Sequence, residues 1–250
     1  MPQWRRFSVD DSARVTTTLT IWATPVMFRR LVLIARKAGY SPTQFRTHWS
    51  GPHADIIKRI IAHFPDAERV RYTQNRVVRT LWQHSSSAQP FDVDGFVEIY
   101  LTTKTPPEAA VSSEAVANML EDELRFLRAF TECHVEAEGS DLDDGRGQKI
   151  IFIAAKRKEV DERTFAMVVR QAFGLDNTAL QGVRQVCLNW TMATSVRQEL
   201  VHEVAPPSVL AELWVENVDI VRQLEDVGRD LMAVAVKQSA YEIDPHIVLG

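Results

Sequence analysis

The chain has 250 residues, of which 45% are hydrophobic and 25% charged, and its formal net charge is −4. Such a length makes one large domain or two small ones, and that apolar share is enough for a real core. A mildly acidic chain lacks the basic footprint of a nucleic-acid binder, and none of its apolar runs is long enough to span a bilayer.

Residues 1–27 stand apart from the rest of the chain. They include Val15-Thr-Thr-Thr-Leu-Thr-Ile-Trp22, rich in β-formers, which reads as an edge strand or a loose arm. The polar stretch Phe7-Ser-Val-Asp-Asp-Ser12 is no signal-peptide core, so the expected compartment is the cytoplasm. Phe28–Arg36 then reads as a strand with an apolar middle. Ser41-Pro-Thr-Gln44 predicts a helix start: Ser41 as N-cap, Pro42 in the first turn and Gln44 closing a capping box. Ser50-Gly51-Pro52 is expected to break that helix, with a second piece restarting at Pro52 and running to Phe64. Ile56, Ile57, Ile60, Ile61 and Phe64 form its buried stripe.

A strand over Val70–Leu81, a polar loop over 84–92 and a strand over Val93–Leu101 come next. Pro106-Pro107 opens a helix reaching about Arg128, with Val116, Leu120, Leu124 and Leu127 facing inward, and Thr131–Glu138 is a fourth strand. The Gly139–Gly147 stretch is a linker; its acid spacing is one residue short of a calcium loop. The same order then restarts. Lys149–Lys156 is a strand, Asp161–Phe173 a helix, Gly182–Met192 and Val209–Glu216 strands, Val218–Arg229 a helix and Leu231–Ile243 a strand. The clearest echo lies in the third strands. Asp94-Gly-Phe-Val-Glu98 matches Glu212-Leu-Trp-Val-Glu216, pairing Phe96 with Trp214 and Glu98 with Glu216. A duplicated βαββαβ unit predicts an α+β protein whose two sheets face each other. The expected organisation is an extension over 1–27, a first unit over 28–139, a linker over 140–148 and a second unit over 149–250.

Cys133 and Cys187 fall one in each unit without metal-ligand spacing, and are expected as buried, reduced thiols. There is no GxSxG, Walker loop, HExxH or GxGxxG, so nucleotide and catalytic zinc find no support. No cofactor and no metal are expected.

The sharpest local feature is His48-Trp49-Ser50-Gly51-Pro52-His53. Trp49 and His53 are four apart on a helical projection and share the sheet-facing side with Phe45, while His48 points toward solvent. A restart at Pro52 would place His53 at a helix start, where the dipole disfavours imidazolium and a neutral ring could act as a base. The alternative is a packed histidine bonded to a carbonyl. On the third strand Phe96, Glu98 and Tyr100 point away from the helices. Glu98 then marks a wet pocket, the sheet rim, or an ion pair with an arginine such as Arg76, with Arg184 playing that part for Glu216. Tyr72, Gln74 and Arg76 share a face of the second strand, as do Glu132, His134 and Glu136 on the fourth. Together these residues would suit proton transfer on a carbonyl compound. Exposed strand polarity is the alternative for each.

Residues 28–138 resemble the EthD family. The features that carry this are Leu31-Val-Leu-Ile-Ala-Arg-Lys37, Gly39-Tyr-Ser-Pro-Thr-Gln-Phe-Arg-Thr-His-Trp49, Gly51-Pro-His53, Arg71-Tyr-Thr-Gln-Asn75 and Asp94-Gly-Phe-Val-Glu98. Residues 149–250 look like a degenerate second copy. The resemblance implies a dimeric α+β barrel, here as tandem ferredoxin-like units closing a barrel within one chain. The wider superfamily holds cofactor-free cyclases, dehydratases, isomerases and monooxygenases, and haem enzymes. The expected function is a cofactor-independent cyclase, dehydratase or isomerase acting on a small hydrophobic aromatic or polyketide-like carbonyl compound. His53, Tyr72 and Glu98 are the catalytic candidates, and Trp49, Gln74, Phe96, Tyr100, His134 and Trp214 the substrate-binding ones. A non-catalytic binding or assembly protein is the alternative, and haem binding a weaker one. The expected partner is a small hydrophobic molecule, with neither nucleic acid nor membrane. The chain is expected as a monomer with an internal pseudo-dimer, or as a homo-oligomer.

Overall fold

The computed structural model describes residues 27–86, 89–139, 147–175, 180–197, 199–200, 206–216 and 220–250. The expected edge strand at 15–22 and most of the 140–148 linker lie outside them. Strand β1 is Phe28–Arg36, followed by helix α1 (Pro42–His48), a π-helical turn (Trp49–His53) and α2 (Ala54–Ile61). Then come β2 (Arg71–Ser85), β3 (Gly95–Leu101), α3 (Glu108–Val111), α4 (Glu114–Phe126) and β4 (Leu127–Gly139). The second half repeats the order: β5 (Gln148–Lys156), α5 (Glu162–Ala172), β6 (Val183–Val196), β7 (Val209–Val215), α6 (Val221–Leu231) and β8 (Ala235–Leu249).

The strands close one antiparallel barrel in the order β1-β3-β2-β8-β5-β7-β6-β4. Each half supplies a ferredoxin-like sheet, and the seams are β2 with β8 and β4 with β6. Closure leaves no free sheet edge for another chain to extend. Alternation along each strand divides the core in three. Leu31, Leu33, Phe96, Ile151 and Tyr241 fill the barrel interior. Val32, Ile34 and Val97 face the first-half helices, and Ile150, Phe152 and Ala211 face those of the second half. No described helix is long and apolar enough to cross a membrane. Both cysteines are buried and free, as expected.

The first helix begins as read: the Ser41 hydroxyl accepts from Gln44 N–H and the Gln44 side chain accepts from Ser41 N–H. It does not break and restart at Pro52. Proline has no N–H for the carbonyl four residues earlier, and one wider turn absorbs that loss while the backbone stays helical. His53 therefore lies inside a continuous helical run, not at a helix start.

The strand match also shifts by four residues. Arg29 pairs with Tyr100 and Leu31 with Glu98, while Lys149 pairs with Trp214 and Ile151 with Glu212. The structural counterparts are therefore Glu98 with Glu212 and Tyr100 with Trp214, not Glu98 with Glu216. Glu216 sits outside the barrel and pairs with Arg184 at 3.3 Å. Along the helix expected to reach Arg128, Val116 and Leu127 face inward as read, and the other two leucines do not. Leu120 and Leu124 are each 38% exposed, whereas Asp122, Glu123 and Phe126 are buried. Partners on facing elements satisfy the two acids, so the polar arc rather than the leucine arc turns inward.

Candidate functional site

Between the outer face of the first-half sheet and its helices lies a cavity of about 260 Å³. Val32, Ile34, Val97, Ile99 and Leu101 form its floor, and Trp49, Ile57, Ile61, Met119 and Phe126 its roof. His53, Tyr72, Glu123, Arg197, Arg30 and Glu132 are the polar members of this apolar wall.

The π turn swings His53 toward α4. Its Nδ1 lies 3.0 Å from Asp122 Oδ2, and His48 Nε2 lies 2.8 Å from Asp122 Oδ1. His48 does not point to solvent as expected: its ring rests 4.8 Å from that of Phe126. Burial pushes the Asp122 carboxyl up, but hydrogen bonds from His53 and His48 outweigh this and hold it below its ordinary value. An ionised carboxylate only accepts, so both imidazoles donate to it. His53 then carries its proton on Nδ1, and Nε2 is the atom left for the cavity. Burial pushes the Tyr72 phenol above its ordinary value, which keeps it a donor. Gln74 donates to the Trp49 carbonyl at 2.8 Å, tying the π turn to β2.

Glu98 is elsewhere. It lies inside the barrel with Arg29, Lys149 and Glu212, on the other side of the sheet from His53 and Tyr72. Arg29 bonds both glutamates, and Lys149 Nζ lies 2.9 Å from Glu98 and 2.7 Å from Glu212. Burial alone would raise Glu98, but Lys149 and Arg29 more than offset it and hold the carboxyl well below the usual range. Tyr100 donates to Glu98 at 3.0 Å, and Arg29 stacks over the Tyr100 ring. Lys149 lies likewise over Trp214, and Phe96 packs edge-on against Tyr241. Glu98, Phe96, Tyr100 and Trp214 thus form a separate buried cluster. The expected ion pair of Glu98 with Arg76 is absent because Arg76 turns outward to Asp244 at 2.6 Å.

His134 lies on the outer face of β4, with Nε2 3.7 Å from the Glu132 carboxylate, and does not line the cavity. Of the nine candidates, the fold therefore gathers His53, Tyr72 and Trp49 around one space, with Gln74 behind Trp49. It adds three groups not foreseen: Asp122, Glu123 and Arg197. Asp122 and Glu123 carry a legible signal, the run of three acids Glu121-Asp122-Glu123 between Leu120 and Leu124. Arg197 carries none, since it comes from the other half of the chain.

The EthD domain family matches residues 37–129. No curated protein matches the chain in sequence. Among solved structures the chain is similar to an anthrone oxidase-like protein at 10% identity and TM-score 0.49, over 89% of this chain and 93% of that one. It is similar to a dye-decolorizing peroxidase from Bacteroides thetaiotaomicron at 8% identity and TM-score 0.48, over 86% and 92%. It is also similar to a mutant chlorite dismutase from Candidatus Nitrospira defluvii at 7% identity and TM-score 0.43, over 87% and 91%. These are likenesses of fold.

Proposed function

We propose that this chain, which carries an EthD domain over residues 37–129, is a cofactor-independent enzyme that moves a proton on a small aromatic carbonyl compound. The observation that carries this reading is the Asp122–His53 pair set on the wall of an apolar cavity. In the proposed step, His53 Nε2 takes a proton from the carbon beside the substrate carbonyl. Electrons from that C–H bond form the enolate, whose oxygen accepts a hydrogen bond from the Tyr72 phenol. Asp122 holds the imidazole in the required tautomer and stabilises the imidazolium that forms. Apolar walls exclude water, which strengthens both interactions. Return of the proton to another carbon gives isomerisation, and loss of a neighbouring hydroxyl gives dehydration. With its thiols buried and reduced, the cytoplasm is the compartment this reading takes.

The test uses β-tetralone, a bicyclic aromatic ketone, in deuterated water. Deuterium uptake beside the carbonyl, followed by NMR, should accelerate with the protein. His53→Ala should lose about a hundredfold of that acceleration, the scale of a missing general base. Asp122→Asn should lower it with folding intact, since the amide can no longer hold the imidazolium. An unchanged rate in folded His53→Ala would remove His53 from the mechanism. Binding of the ketone without exchange would favour the non-catalytic binding reading, and a Soret band in the purified protein would favour haem binding.

A further inference from the structure

Glu123 lines the same cavity and is only 3% exposed, yet it has no part in the step above. Its partner is Arg197, which follows β6 and so is delivered by the other half of the chain. Arg197 Nη2 donates to Glu123 Oε1 at 3.2 Å. Arg197 Nε and Glu123 Oε2 touch but are not aligned as a hydrogen bond, and neither has another hydrogen-bond partner among the described residues. The guanidinium lies 4.6 Å from the centre of the Phe130 ring, and 26% of the arginine side chain is exposed. The pair thus stands between water and the cavity, with its arginine side open to solvent.

The other ion pair on the wall is closed. Arg30 donates to Glu132 at 2.8 Å and to the Lys104 carbonyl, while Glu132 also accepts from Ser195. The charged and titratable groups facing Glu123 are Arg197, His53, Tyr72 and, on its own helix, Asp122. Burial pushes the Glu123 carboxyl above its ordinary value, and Arg197 and His53 offset this only in part. A carboxylate in such walls stays ionised only while a cation holds it.

We propose that Arg197 and Glu123 are an exchangeable pair, and that the ligand of this cavity carries an anionic oxygen, a carboxylate or phenolate, on its aromatic body. The anion takes the place of Glu123 on the guanidinium, and Glu123 gains one proton from solvent, because a buried carboxylate that has lost its only cation to a second anion does not stay ionised. The inference rests on the reading that this cavity holds the ligand. It makes Arg197 a specificity residue and binding a proton-coupled event. Affinity for an anionic ligand then falls as pH rises above the point where free Glu123 ionises.

The experiment compares naphthalene carboxylate with acetylnaphthalene, its neutral ketone analogue, by tryptophan fluorescence, and measures proton uptake calorimetrically in two buffers. The intact chain should prefer the carboxylate and take up a proton with it. Arg197→Gln should lower the ratio of carboxylate to ketone affinity by about tenfold or more, the scale of a hydrogen bond to a charged group, with circular dichroism reporting that the chain is folded. Glu123→Gln should still bind the carboxylate but without proton uptake. Equal affinity for the two probes, or carboxylate binding without proton uptake in the intact chain, would overturn the proposal. Failure of either probe to bind would overturn it together with the ligand-cavity reading. A carboxylate preference with no proton exchange on β-tetralone supports it and removes only the enzymatic reading.

Discussion

The two halves of this barrel share a skeleton and differ in what they do with the space beneath their helices. Ser41 and Asp161 cap the first helix of each half, and twelve residues after each cap stand His53 and Phe173. Strand register makes Val186 the counterpart of Tyr72. Lys37 and Arg157 donate to the carbonyls of Phe126 and Val234, and three residues before each stand Glu123 and Leu231. Each polar wall group of the first half thus meets an apolar residue in the second. Trp82 enters as well: it leaves β2, stacks on Phe152 and packs against Gly228 of α6. The barrel register pairs Trp82 with Ala240 where the first half has Ser195 with Glu132. The first half holds a cavity lined by His53, Tyr72 and Glu123, and the second half packs apolar residues at the matching positions.

Inside the barrel the halves stay alike. Arg29 and Lys149, Asn75 and Asn189, and Glu98 and Glu212 occupy matching positions, and each asparagine donates to its own glutamate. Two cations balance two carboxylates, so removing one partner strands the rest. Glu98→Ala and Glu212→Ala should each cost about 3–5 kcal/mol in denaturant unfolding, the scale for breaking a buried pair. A large cost at one and a small cost at the other would break the internal symmetry. The sign with pH comes from Glu98, whose folded value is held below the unfolded one. Its contribution is complete above the unfolded value, about 4.3, and is lost as pH falls toward the folded one. Glu98→Gln should therefore flatten the acid limb of the stability curve.

Trp82→Ala should cost about 3 kcal/mol or more by opening a hole in the second-half core. Acetylnaphthalene binding in the first half should remain unchanged, and a parallel loss of binding would mean the halves are not separable. Gly228→Ala places a Cβ 2.3 Å from the Trp82 ring and should cost about 1–3 kcal/mol by overpacking. Gly95→Ala drives a Cβ to 2.5 Å from the Trp49 ring in the first half. That change should weaken ligand binding too, because Trp49 lines the cavity, whereas Gly228→Ala should change stability alone.

Much of the frame was legible because it rests on local rules. The Ser41 capping box, the apolar middle of β1 and the repeated strand order each come from short-range spacing, and they stand as read, although the last strand runs Ala235–Leu249 rather than Leu231–Ile243. The register of the repeat was not legible. Asp94-Gly-Phe-Val-Glu98 and Glu212-Leu-Trp-Val-Glu216 share a pattern of alternating acids that fits at two offsets, and only the pairing with β1 and β5 chooses between them. The inward face of α4 was misread for a related reason. Leucine spacing marks one arc of the helix, and the partners that make Asp122 and Glu123 burial tolerable lie far away in the chain.

Local sequence sufficed for the α+β class, the duplicated order and the first helix start. Hydrophobic period, capping and chain direction act over a few residues and need no partner. Packing in three dimensions put Glu98 in the barrel interior, set Asp122 against His53, and brought Arg197 across from the other half to meet Glu123. A buried charge takes its role from the charge placed opposite it, and in a closed barrel that partner comes from whichever strand the seam brings alongside.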